Sequence, residues 1–241
     1  MIRTNIHDLD FFLPRQRLNS CMAVPQKLLP AALLWLLAGA VAVALAWPWD
    51  SSVDATLDAS HNASLHQIAW WCSKLGEGWV PAVVGILISI VYVQLNRPAV
   101  AARIFFVVLT CEITGLAGLI LRILTGRTRP LAHAPQGFYG IWYDGHWIVG
   151  KYEFSSFPSG HSATAVGLAA AVWLVHRGWG LVAMVYALAV MWSRIALQCH
   201  HLTDVVASTM LAIPLAILMK KVLLPPVEFQ FARLHGAWPK A

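Results

Sequence analysis

Charge is what this sequence has least of. Only 12% of its 241 residues are charged, against roughly a quarter in an ordinary soluble domain, so a water-soluble globule is a poor reading from the outset. Basic residues outnumber acidic ones by seventeen to eleven. They are scattered over the termini and short connections instead of forming one basic patch, so no nucleic-acid partner is expected. The four cysteines, Cys21, Cys72, Cys111 and Cys199, show no CxxC or CxxH spacing, and a cysteine zinc site is not expected. Cys72 and Cys199 fall near the same surface of the path traced below, where a disulfide is conceivable, although spacing alone does not supply its geometry. Internal repeats and low-complexity linkers are also absent.

Apolar residues, by contrast, make up 59% of the chain. They gather into runs of about 20, long enough to cross a hydrocarbon layer about 30 Å thick. The first, Leu28 to Trp47, follows a polar stretch and ends without a small-residue cleavage pattern, so it reads as a retained anchor. Others lie at about 79 to 95, 104 to 124, 159 to 175, 179 to 198 and 203 to 223. Unpaired backbone groups are costly in lipid and the alternation of a membrane barrel is missing, so the spans should be helices. The expected fold is all-α, a bundle of six transmembrane helices over 28–223, with an N-terminal arm at 1–27 and a tail at 224–241.

Lys and Arg set the orientation. Arg3, Arg15, Arg17, Lys27, Arg97, Arg103, Arg177, Lys220, Lys221, Arg233 and Lys240 fall on one side; the other side holds the remaining six basic residues and seven of the eleven acidic ones. The positive-inside rule then places both termini in the cytoplasm and the first, third and fifth connections outside. The third, about 125 to 160, carries Phe138, Tyr139, Trp142, Tyr143 and Trp147, aromatics suited to anchoring at the headgroup zone.

Three outer segments hold most of the unusual polar residues. They are Arg122 to Pro130, Pro158-Ser159-Gly160-His161, and Ser193-Arg194 through His200-His201 to Asp204. Each lies at the outer end of an expected helix, so they can converge at one depth. Arg129 and Arg194 offer planar forks of donors matched to phosphate oxygens. Ser159 and Gly160 lead into a helix whose free N–H groups favour an anion, and Gly160 lets it approach the backbone. His200 and Asp204 are four apart and on a helix would share a face. Asp204 can then take the Nδ1 proton and leave Nε2 as a nucleophile, with His161 as the acid that protonates the departing oxygen.

In these three segments the chain resembles the type 2 phosphatidic acid phosphatase (PAP2) superfamily of membrane lipid phosphatases. A basic residue, six positions and Arg-Pro are followed by Pro-Ser-Gly-His, then by Ser-Arg, five positions, His, three positions and Asp. The resemblance covers roughly 115 to 210 and the six-span plan. It implies a phosphohistidine mechanism without metal or other cofactor: His200 as nucleophile, His161 as acid, Asp204 as orienter, and Arg122, Arg129, Ser159, Gly160 and Arg194 holding phosphate. Arg122 departs from the family, which usually has Lys there; charge is kept while reach and geometry change.

Other residues carry blander expectations. Arg127 lies outside the signature and reads as snorkelling to headgroups, His201 as structural, and His133 and His146 as solvated. Glu112 sits near the middle of the third run, where a charge is costly, so it should be protonated or bonded to a neighbouring helix. Competing readings are a zinc hydrolase built on His161, His200, His201 and Asp204, a phosphotransferase of the same family, and a transporter or lipid sensor without turnover. The expected partners are the bilayer and a lipid phosphate such as undecaprenyl diphosphate, phosphatidylglycerophosphate, phosphatidate or lipid A. The expected place is a bacterial inner membrane, with the site facing the periplasm.

Overall fold

The computed structural model describes residues 28–234, with side chains from residue 33. The N-terminal arm lies outside the described residues, and with it Cys21.

The chain is helical almost throughout. Helix α1 (Leu28–Ala46) runs through a short 3-10 turn, Trp47–Trp49, into α2 (Asp50–Leu57). Then come α3 (Ala63–Leu75), α4 (Trp79–Gln94) and the long α5 (Pro98–Thr125). A loop with a two-stranded hairpin, β1 (Trp142–Tyr143) and β2 (His146–Trp147), leads to α6 (Gly160–Val175), α7 (Arg177–Ala196), α8 (Leu202–Val222) and α9 (Leu224–Leu234).

The six expected runs all lie on helices, with ends shifted by a few residues. Four helical stretches, Leu33–Leu57, Pro98–Thr125, Arg177–Ala196 and Leu202–Val222, are long and apolar enough to cross a membrane. The count becomes five if α3 and α4, which meet at 54°, form one broken span. Helix α6 is apolar but only 16 residues long. Two features went unread in the sequence. The connection after α1 is mostly helical, as α2 and α3, and α9 starts the expected tail as a helix packed on α5 and α8.

Helix α6 is the hub, packed against α5, α7 and α8. Its sequence explains why. Ala163, Ala165, Gly167, Ala169 and Ala171 are small and buried, and small residues let backbones come close where lipid supplies no hydrophobic drive between helices. Van der Waals contact replaces that drive: a Cβ on Gly167 would strike Thr114 of α5, and one on Gly115 would strike Thr164 of α6. Large apolar side chains such as Leu36, Leu87, Leu116, Ile120, Val185 and Leu188 point outward, the reverse of a soluble core and the arrangement lipid requires.

Two helix ends shape the functional face. Helix α5 stops at Gly126, whose φ of 57° is left-handed and whose missing Cβ admits the Gly140 backbone; only glycine meets both demands. Helix α6 starts behind the N-cap Ser159, whose side chain accepts from the Ser162 N–H.

The tight α5–α6 contact gives a direct test. Gly167→Ala should destabilise the protein by about 1–3 kcal/mol through overpacking, lowering its thermal unfolding midpoint in detergent. An unchanged midpoint would mean that α5 and α6 are not in close contact there.

Candidate active site

His200 lies in the turn between α7 and α8, not on the helix that carries Asp204, because α8 begins only at Leu202. It is fully buried. Its Nδ1 stands 2.7 Å from the Ser156 carbonyl oxygen and 3.5 Å from Asp204 Oδ2. A carbonyl can only accept, so neutral His200 carries its proton on Nδ1 and keeps a lone pair on Nε2. That Nε2 is buried with no hydrogen-bond partner among the described residues. Burial pushes the imidazole pKa down to about 4, with Asp204 pulling the other way and Arg194 and Arg129 adding to the fall. His200 is therefore neutral at pH 7, as a nitrogen nucleophile must be.

Asp204 is the third residue of α8 and folds back over its own helix end. Oδ2 accepts from the His201 N–H at 2.8 Å and from Ser156 Oγ at 2.5 Å, and Oδ1 accepts from Arg127 at 2.5 Å. Of the two Nδ1 contacts the expected one, to Asp204, is the longer, and the hydrogen bond goes to the Ser156 carbonyl. The shorter one, to the Ser156 carbonyl, belongs to the loop before α6 and had no sequence signal.

Arg127 overturns its snorkelling expectation. Its side chain is 0% exposed and pairs with Asp50 of α2 at 2.6 Å as well as with Asp204. Its Nη1 also donates to Thr203 Oγ1 at 2.6 Å. Trp47, Phe138 and Phe157 surround the guanidinium, with ring centroids 4.5, 5.3 and 5.8 Å away. Snorkelling fails because two buried carboxylates wait inside, which water and headgroups could not satisfy. Phe138, read as an interfacial anchor, forms part of this cover; Trp142 and Trp147 at the hairpin are exposed.

Arg129 and Arg194 of the signature lie close to His200, and Arg122 lies near both of them. Arg129 donates to the carbonyls of Tyr152, Cys199 and Ser155 at 2.9, 2.9 and 3.0 Å and stacks over the Tyr152 ring. Three of its five N–H groups are used and two remain. Arg194 donates to Ser73 Oγ of α3 and leaves Nε unpartnered. Arg122 turns inward, with Nη1 3.5 Å from where a Cβ on Gly160 would stand and Nε buried without a partner. Gly160 and His161 open α6, where N–H groups and the dipole favour an anion. A cavity of about 300 Å³ lies beside them, lined by Arg122, Gly160, His161 and Thr164. Glu112 faces the same cavity without a hydrogen-bond partner among the described residues, so of the two expected alternatives the bond to a neighbouring helix is not made.

His201 points away: its Nδ1 is 2.6 Å from Asp54 Oδ2, in keeping with a structural part. The zinc reading finds no ligand set, since no three His, Cys, Asp or Glu side chains converge to hold a metal among the described residues. Cys72 and Cys199 are free thiols, and the conceivable disulfide is not formed. His133 and His146 are exposed.

The PAP2 superfamily pattern matches residues 100–225, a little over half of the chain. The chain belongs to the PAP2 superfamily. No curated protein sequence matches it. Among solved structures it is similar to a transmembrane PAP2-type phosphatidylglycerolphosphate phosphatase from Bacillus subtilis, at 18% identity and a TM-score of 0.55 over 78% of this chain and 94% of that one. It is also similar to LpxE of Aquifex aeolicus, at 19% identity and a TM-score of 0.48 over 71% and 94%. At such identity the first likeness shows the fold, that of the PAP2 membrane phosphatases. With its apolar helices, the chain is a multi-pass membrane protein of that family.

Within this PAP2 fold the first connection adds what the motifs do not contain. Asp50, Asp54 and Ser73 bind Arg127, His201 and Arg194 respectively. Asp50 and Asp54 are four apart next to an apolar run, a pattern that places both on one face of a short helix; nothing in it names their partners. Arg127→Met would strand two buried carboxylates, so it should cost about 3–5 kcal/mol and lower the thermal midpoint sharply. Adding Asp50→Leu should recover part of that loss. A well-folded Met variant with a native midpoint would contradict the buried pairing.

Proposed function

We propose that the protein is an integral-membrane lipid phosphatase that removes a phosphate group through a phosphohistidine on His200. The observation that carries this reading is the bare Nε2 of a buried, neutral His200, set among Arg129, Arg194 and the N-terminus of α6. Phosphate would be held by the two free N–H groups of Arg129, by Arg194 and Arg122, and by the amides following Ser159. Nε2 attacks phosphorus while the bond to the leaving oxygen breaks, and His161, protonated once the bound phosphate anion offsets the arginines, gives that oxygen its proton. A water then attacks the phosphorus of the phosphohistidine, His161 takes its proton, and inorganic phosphate departs with His200 restored. Asp204 and the Ser156 carbonyl keep the Nδ1 proton in place and stabilise the cationic phosphorylated ring.

The membrane arrangement belongs to the same proposal. Six spans, with α4 and α6 as the shorter ones at 16 residues each, would put both termini in the cytoplasm and open the site to the periplasm of a bacterial inner membrane. The distribution of Lys and Arg supports that orientation.

Purified protein offered a panel of lipid phosphates and diphosphates should release inorganic phosphate, with activity retained in EDTA and inhibited by vanadate. His200→Ala should lower the rate by about 10³-fold or more. Lipid binding without phosphate release would favour a transporter or sensor, and loss in EDTA with recovery on zinc would favour a metal hydrolase.

A further inference from the structure

Glu112 is a carboxyl group at mid-helix in α5 with nothing of the described protein bonded to it. An ionisable group at membrane depth is costly and is kept where a ligand or pathway uses it. Its surroundings are arranged to leave it open. A Cβ on Gly78 would sit 3.3 Å from both Glu112 carboxylate oxygens, so any other residue there would cover the acid. Gly76, Gly115 and Gly160 line the same cavity and keep its walls low.

The cavity has a direction. It is lined by His161, Arg122 and Gly160 but not by His200. In an in-line displacement the leaving oxygen lies opposite the nucleophile, on the side of the general acid, so this cavity is where the leaving alcohol goes. Gly160 packs at the level of Gly118. Glu112 is six residues further in along α5, about 9 Å at 1.5 Å per residue. Deeper still, along α4, α5, α6 and α7, a largely apolar open groove of about 850 Å³ begins at Leu75, Val80 and Cys111, continues past Leu168 and ends near Arg103 and His176. Along α5 the order is therefore cationic, acidic, apolar. A lipid phosphate laid along it would present phosphate, then a polar linker, then its tail.

We propose that Glu112 is a specificity determinant, accepting a hydrogen bond from a hydroxyl or N–H group on the leaving alcohol. The favoured substrates are then lipids whose phosphate joins the tail through a hydroxylated or N–H-bearing linker, such as a glycerol with a free hydroxyl, a sugar or an amino alcohol. Polyprenyl and simple alkyl phosphates offer no such donor. A carboxyl oxygen accepts in either protonation state, so the preference holds whether or not the acid is ionised. The inference rests on the phosphatase reading above, since it takes His161 to mark the leaving side.

The test uses two lipids that differ only in the donor: a 1-O-alkylglycerol 3-phosphate with a free 2-hydroxyl, and its 2-O-methyl counterpart. In the wild-type protein, kcat/KM should favour the hydroxyl lipid by about fivefold or more, the net worth of one hydrogen bond. Glu112→Leu should collapse that ratio towards one, and Glu112→Gln, which keeps an acceptor oxygen, should preserve most of it. A preference caused only by the bulk of the methyl group would persist in Glu112→Leu and overturn the proposal, as would a wild-type ratio near one. If neither lipid is hydrolysed, the phosphatase reading is what has failed. The Glu112 site is then decided by Kd values for the non-hydrolysable phosphonate analogues of the same pair, whose ratio should show the same collapse. Equal ratios in wild type and Glu112→Leu would overturn it there too.

Discussion

Arg127 carries its guanidinium into a place that neither water nor a lipid headgroup reaches, and the helix ends around it are arranged to meet it. Two carboxylates meet it, Asp50 from α2 and Asp204 from α8, and three aromatic rings close over it. Taking ions out of water costs several kcal/mol each, and attraction offsets that only where geometry is good and the remaining hydrogen bonds are made. Here most of them are: Thr203 donates to Asp50 through both its N–H and its hydroxyl, and Asp204 collects Ser156 Oγ and the His201 amide, while Arg127 Nε has no partner among the described residues. The pairing ties the end of α1–α2, the loop after α5 and the start of α8 into one unit, although these segments are far apart in sequence.

His200 inherits its geometry from this unit. Its ring is fixed by the Ser156 carbonyl, and Ser156 is fixed in turn by its hydroxyl on Asp204 and its N–H on the Arg127 carbonyl. Arg129, two residues on from Arg127, has three donors committed to backbone carbonyls, so in the proposed mechanism its remaining donors would be held in place before any phosphate arrives. Such preorganisation is what lets charge stabilisation act without reorganisation during reaction. Ser159 adds a second tie, donating its N–H to the Asp204 carbonyl and accepting Ser208 Oγ at its own; this holds the N-terminus of α6 against α8.

Much of this was legible in sequence. Runs of about 20 apolar residues placed the helices, since length and hydrophobicity are all a membrane helix needs. The spacing of Arg129, Ser159, His161, Arg194, His200 and Asp204 picked out residues that lie near one another in the structure. What stayed hidden were pairings that no local pattern encodes. Arg127 looked like any membrane-edge arginine because Asp50, 77 positions away, gives no sign of meeting it. The Ser156 carbonyl competes with Asp204 for the His200 proton, and a backbone acceptor leaves no trace in residue identity. Helices α2 and α3 were missed because they are short and only partly apolar. Glu112 is visible in the sequence as an anomaly, but its lack of a partner is not, because no local pattern tells that a glycine, Gly78, faces it.

The central claim is that a neutral His200, with Nδ1 protonated and Nε2 free, takes the phosphoryl group. The most direct measurement mixes the protein with phosphorus-32 lipid phosphate, quenches in alkali within the first turnover, where phosphohistidine survives, and locates the label by peptide mass spectrometry. The account predicts one labelled residue, His200, with label that appears before free phosphate and decays as phosphate is released. Label on His161 or His201 instead, or full turnover with no labelled histidine, would contradict it.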